Sequence, residues 1–157
     1  MKFKPTTLLT LAIFIFNFSY SQYKTETIKE TKKSIVNWVK YEKLKDVLIE
    51  YSYQEDNPSR GYKGEYIVFR ITNSSNNSKN ISWDFSAAYE NGKCINCNNE
   101  NEEFHFEANV PPKSSISGNV NTYYKGPLAI FHRFTDDNYK SNPLTWKSFN
   151  LNNLNLK

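Results

Sequence analysis

Few residues in this chain can do chemistry. Its two cysteines stand two residues apart in Gly92-Lys93-Cys94-Ile95-Asn96-Cys97-Asn98, and its two histidines are His105 and His132. A Cys-x-x-Cys pair can be a redox dithiol, half of a zinc site, a haem attachment or a local staple. A redox dithiol needs its first cysteine at a helix N-terminus, where exposed amides and the helix dipole lower the thiol pKa. Here Tyr89-Glu90-Asn91-Gly92 reads as a strand end and a turn, and Asn98-Asn99-Glu100-Asn101 opens no apolar helical face. Zinc takes about four ligands, and the spacing of Cys94, Cys97, His105 and His132 fits no zinc module. Haem attachment needs a histidine where Asn98 stands. The reading that these residues favour is a disulfide between Cys94 and Cys97 across one loop, formed in an oxidising compartment. A redox dithiol stays as the alternative from another class.

Proton transfer has little to work with. His105 lies on the polar side of Glu103-Phe104-His105-Phe106-Glu107, which predicts a solvated side chain. His132 falls in phase with Leu128, Ile130 and Phe134, which predicts partial burial and a hydrogen bond. Asp136 and Asp137 follow closely, but Thr135-Asp136-Asp137-Asn138 is also what a turn after a strand looks like. Those oxygens fall short of the six to eight that calcium takes, and no serine stands in a nucleophile elbow. The expectation is no catalytic residue, no metal and no cofactor. Tyrosines are plentiful, among them Tyr51, Tyr53, Tyr62, Tyr66, Tyr123 and Tyr124. Aromatics are good strand residues. Where exposed, they stack on sugars or anchor protein interfaces.

The elements that must hold these residues read as strands. Val47, Ile49, Tyr51 and Tyr53 alternate with Leu48, Glu50 and Ser52; Ile67, Phe69 and Ile71 oppose Tyr66, Val68 and Arg70. Ile81, Trp83, Phe85, Ala87 and Tyr89 share a face, as do Phe104, Phe106 and Ala108. Such period-two alternation marks half-buried strands. In the last stretch Phe149 and Leu151 are in phase, while Leu154 and Leu156 are displaced by one residue, so a bulge is predicted at Asn152-Asn153. A further strand is expected in Ser34–Lys40, and Thr27-x-x-Glu30 could cap a short helix. Turn signals at Asn57-Pro58 with Gly61, Ser74 to Lys79, Asn91-Gly92, Pro111-Pro112, Gly126-Pro127 and Asn142-Pro143 separate the runs. Sequons begin at Asn73, Asn76 and Asn80, and their crowding marks Ser74–Lys79 as a surface turn. About seven strands between regular turns predict a two-sheet antiparallel sandwich.

The chain opens with Lys2 and Lys4, then an apolar run from Leu8 to Phe18, then Ser19-Tyr20-Ser21. That run fits the roughly 7–15 residues of a signal-peptide core and falls short of the about 20 that span a bilayer. Expected boundaries are a signal peptide at 1–21, cleaved before Gln22, an arm at 22–33 and one domain at 34–157. The whole chain has 20 Lys+Arg against 16 Asp+Glu. Removing Lys2 and Lys4 leaves 18 against 16, or +2, which is not the balance of a nucleic-acid binder.

The run Ile71-Thr72-Asn73-Ser74-Ser75 through Trp83-Asp84-Phe85, with Asn91-Gly92-Lys93-Cys94-Ile95-Asn96-Cys97, Pro111-Pro112-Lys113-Ser114-Ser115, Leu128-Ala129-Ile130-Phe131 and the closing Ser148-Phe149-Asn150-Leu151, resembles a group of small secreted proteins from Bacteroidetes-type bacteria. The resemblance covers most of the chain from Trp38 onward. It implies an immunoglobulin-like sandwich and carries no assigned activity. Members of that group can have further cysteines near Asp56 and after Gly118. Their absence from these positions argues against a distant partner for Cys94 or Cys97. The combined expectation is an exported protein, periplasmic or extracellular. It is a non-catalytic binding domain for a protein or glycan partner at the cell envelope, with no stable membrane span after cleavage. An inhibitor or immunity-type protein that blocks an enzyme is the alternative within binding.

Overall fold

Period-two alternation becomes strand wherever the chain is described. The computed structural model describes residues 26–27, 36–56, 61–98, 101–122, 126–135 and 146–157. The apolar leader, most of the arm, Asn57-Pro58, Tyr123-Tyr124, Asp136-Asp137 and Asn142-Pro143 lie outside the described residues. The strands are β1 (Glu26–Thr27), β2 (Val39–Leu44), β3 (Val47–Glu55), β4 (Gly64–Asn73), β5 (Lys79–Tyr89), β6 (Cys94–Ile95), β7 (His105–Val110), β8 (Ser114–Ser117), β9 (Ala129–Phe134) and β10 (Trp146–Leu156). Thr27 is extended and pairs with Ser148; the short helix expected after it lies outside the described residues. Of the strand expected at Ser34–Lys40, Val39 and Lys40 open β2 while 36–38 are not strand; Ser34 and Ile35 lie outside the described residues.

All pairings are antiparallel, in two sheets. Sheet I runs β2-β3-β4, with β8 and β9 end to end along the far edge of β4. Sheet II runs β1-β10-β5, with β7 and β6 along the far edge of β5. Leaving aside the two short strands and counting β8 with β9, the first, second, third and sixth strands form sheet I. The seventh, fourth and fifth form sheet II. Immunoglobulin constant domains group the first, second, fifth and fourth against the third, sixth and seventh. The sandwich architecture is therefore the expected one, with a strand order of its own.

Phe149 of β10 is the centre of the core. Its ring lies 5.8 Å from Tyr41, 5.2 Å from Tyr51 and 5.9 Å from Phe69 on sheet I, and 6.1 Å from Phe85 beside it on sheet II. The Tyr41 hydroxyl accepts the Leu151 N–H at 2.9 Å, which ties β2 to β10 across the sandwich. Trp83, Phe85 and Ala87 are buried as their alternation predicts. The predicted bulge is present: the β10–β5 register shifts between Asn152 and Asn155, and Asn153 has φ 51°. Asparagine tolerates that left-handed conformation better than most residues.

Two joints complete the frame. Phe69 donates its N–H to Leu128 O and accepts the Gly118 N–H, so one residue of β4 closes both ends of the excursion 119–127. A Cβ at Gly118 would overlap the Leu128 carbonyl, and only glycine permits that approach. Asn73, the first sequon asparagine and the residue just before the turn at Ser74–Lys79, is buried. Its amide donates to Asn77 O and Val110 O, and its carbonyl oxygen accepts from Ser75 N and Oγ. A buried amide is stable only with its hydrogen bonds made.

Candidate functional site

The outer face of sheet I carries an aromatic cluster. Gly64, Tyr66 and Val68 alternate outward from β4, and Phe134, Phe131 and Ala129 face outward opposite them on β9. The Tyr66 and Phe131 rings lie 5.6 Å apart at 78°, Phe131 and Phe134 4.9 Å apart at 59°, and Tyr62 and Phe134 6.0 Å apart at 73°. Tyr62 is 49% exposed, and Phe131 and Phe134 are 39% exposed. Gly64 forms the floor; a Cβ there would stand 3.1 Å from both Phe131 and Tyr66. Asp56 accepts the Gly64 N–H at 2.8 Å and the Tyr66 hydroxyl; burial first, then the Asp56 charge, pushes the Tyr66 phenol above its ordinary pKa. Beside the cluster, Val68, Val120 and Ala129 pack with Trp38, and Arg70 sits 4.4 Å over the Trp38 ring while pairing with Glu50 at 2.7 Å.

A bulge in β9 sets this arrangement. Tyr66 is opposite Phe131 and Glu65 opposite Arg133, so His132 is the extra residue. Phe131 points out, His132 and Arg133 point in, and Phe134 points out again. The phase read from sequence, with Leu128, Ile130, His132 and Phe134 on one face, therefore fails at its last member, because one added residue inverts all that follow. Inside, one oxygen of Glu65 accepts His132 Nδ1–H at 2.8 Å and Arg133 Nε–H at 2.9 Å. Burial raises the Glu65 pKa, but the hydrogen bond from His132 and the charge of Arg133 outweigh it and hold the carboxyl below its ordinary value. His132 packs 5.3 Å from Trp146 and 5.6 Å from Tyr53, and its Nε2 is buried with no hydrogen-bond partner among the described residues. The predicted burial and hydrogen bond of His132 are both present, with Glu65 as the partner; Asp136 and Asp137 lie outside the described residues.

Cys94 and Cys97 form the disulfide, with Cα atoms 5.8 Å apart. Cys94 pairs with Ala88 in the short β6, after the turn at Gly92 (φ 81°). Asn96 (φ 50°) shapes the loop: its amide donates to Phe85 O and its oxygen accepts from Asn101 N. Both cysteines are exposed, on a hairpin rather than at a helix N-terminus.

His105 is exposed yet paired. Its Nδ1 meets Asp84 Oδ1 at 2.7 Å, and Asn153 donates to Asp84 Oδ2 at 2.6 Å. The Asp84 hydrogen bond raises the His105 pKa. The sequence reading of a simply solvated histidine missed Asp84, which the β5–β7 register places directly opposite. Among the described residues, no group of three or more His, Cys, Asp or Glu is placed to hold a metal ion, and no helix is long and apolar enough to cross a membrane. No protein-family model, no curated protein and no solved structure matches the chain.

Tyr62 and Tyr66 were named in the sequence as aromatics of either kind. The phase of β9 already set Phe131 on the face away from Ile130, but Phe134 gave no signal, because the bulge that turns it outward leaves no mark in hydrophobic periodicity.

Proposed function

We propose that this protein is an exported, non-catalytic interaction domain that docks a protein partner at the cell envelope or outside the cell. The reading stands on one observation: Tyr62, Phe131 and Phe134, large rings that each keep more than a third of their surface exposed, form one cluster with Tyr66 on the outer face of sheet I. Exposed apolar side chains gathered in one patch signal an interface, and aromatic anchors carry much of the energy of such contacts. The relative tilt of the rings favours protein over glycan. Stacking on successive sugars calls for ring faces in one plane, whereas these rings meet at 59–78°. Edges and faces together make notches that suit aliphatic or aromatic side chains.

Export rests on the leader in the sequence and fits a disulfide-bonded pair. An inhibitor that blocks an enzyme would use the same surface. The thiol–disulfide alternative has less support, since Cys94 lacks the helix N-terminus that lowers a thiol pKa.

The test is capture from envelope extract with three immobilised proteins: wild type, Phe131→Ser/Phe134→Ser, and Asp84→Ala on the opposite sheet. A partner held by wild type and the Asp84 variant but lost by the double variant supports the reading. A partner that the double variant retains sinks it.

A further inference from the structure

In a β9 strand without a bulge, Phe131 would stay opposite Tyr66 and His132 would fall opposite Glu65, still able to hydrogen-bond it. Arg133 would then point to solvent and Phe134 into the sandwich. That arrangement suits an arginine and a phenylalanine by their hydrophobicity alone. The observed register does the reverse: it sets Phe134 on the outer face, 39% exposed, and turns Arg133 inward. What the bulge gains is the bond from Arg133 Nε–H to Glu65 at 2.9 Å. β4 fixes Glu65 on the inner side, in phase with Ile67 and Phe69. Its side chain is 9% exposed, and a carboxylate so placed binds a second charged donor strongly. Arg133 remains 35% exposed, so its charge is not fully stripped of water.

From this we infer that Arg133 is a positioning residue for the docking surface. Its pairing with Glu65 selects the bulged register, and the bulged register sets Phe134 beside Phe131 on the outer face. Bulges commonly re-aim side chains in this way. The inference rests on reading that face as a docking surface, but the step from Arg133 to Phe134 can be measured without any partner.

Nuclear magnetic resonance of the full domain reads the step. In wild type, ring protons of Phe131 and Phe134 give a cross-relaxation signal, since their centroids lie 4.9 Å apart. Arg133→Ser removes the donor from a half-exposed position; the Phe131–Phe134 signal is expected to vanish and a Phe134–core signal to appear. Arg133→Lys keeps a cation within reach of Glu65 and is expected to restore the native signal. A folded Arg133→Ser protein with the Phe131–Phe134 signal intact overturns the inference. If Arg133→Ser does not fold, wild type decides: the Arg133 Nε–H must exchange slowly with solvent, and fast exchange overturns the inference. Binding of the dye 8-anilinonaphthalene-1-sulfonate to wild type and to Phe131→Ser/Phe134→Ser tests the surface separately. Equal dye binding by these two proteins counts against the docking reading and leaves the Arg133 result standing.

Discussion

The two outer faces of the sandwich treat exposure in opposite ways. On sheet II the residues that face water hydrogen-bond one another: Asn109 to Asn80, His105 to Asp84, and Asn153 to Asp84. On sheet I the outer face near β9 leaves aromatic rings in water. A polar ladder in solvent is already satisfied and asks for nothing more. An exposed aromatic cluster leaves apolar area that association can still remove from water. The contrast is what supports the docking proposed for sheet I.

Two phenylalanines make the contrast sharpest. Phe85 is fully buried between Trp146 and Phe149, so Phe85→Ala is expected to destabilise by about 3–5 kcal/mol in a denaturant melt. Phe134→Ala on the open face is expected to cost less than about 1 kcal/mol. Comparable losses from both would mean that the aromatic face is covered within the folded chain.

Glu65 comes next. Glu65→Leu removes the acceptor shared by His132 and Arg133, and a loss of about 2–3 kcal/mol is expected. Its pKa is held below the ordinary value, so its contribution is present above the unfolded pKa and is lost as pH falls through the folded one. A wild-type protein whose acid unfolding matches that of Glu65→Leu would remove Glu65 from the account.

The disulfide closes a very short loop, and the chain-entropy estimate for Cys94→Ala/Cys97→Ala is about 2 kcal/mol or less. The double variant is expected to fold and to keep the sheet I surface. Loss of partner capture by that variant would move the interaction to the hairpin.

A small effect also belongs to the polar ladder. Asp84→Ala removes two exposed hydrogen bonds and is expected to cost about 1 kcal/mol. His105 has a raised pKa, so the stability from its pairing with Asp84 is complete below the unfolded value and is lost as pH rises through the folded one. The thermal midpoint of wild type relative to Asp84→Ala is therefore expected to narrow from pH 5 to pH 8. A difference that widens over that range would contradict the assigned pairing.

The sequence alone determined which residues make strands and which of their faces turn inward, because side-chain alternation has a period of two and depends only on neighbours along the chain. It placed Val47, Ile49, Phe69, Trp83 and Phe85 in the core, and it located the bulge at Asn152-Asn153, where apolar residues stand on both sides to reveal the slip. Tertiary structure decided which strands are adjacent, that Glu65 meets His132 and Arg133 from 67 and 68 residues away, and that Asp84 meets His105 from 21. It also decided the bulge at His132, and with it the place of Phe134 on the aromatic face. No local pattern records that bulge, since the straight register would have suited Arg133 and Phe134 by hydrophobicity. A buried carboxylate from another strand reverses the preference, and only the folded pairing brings it there.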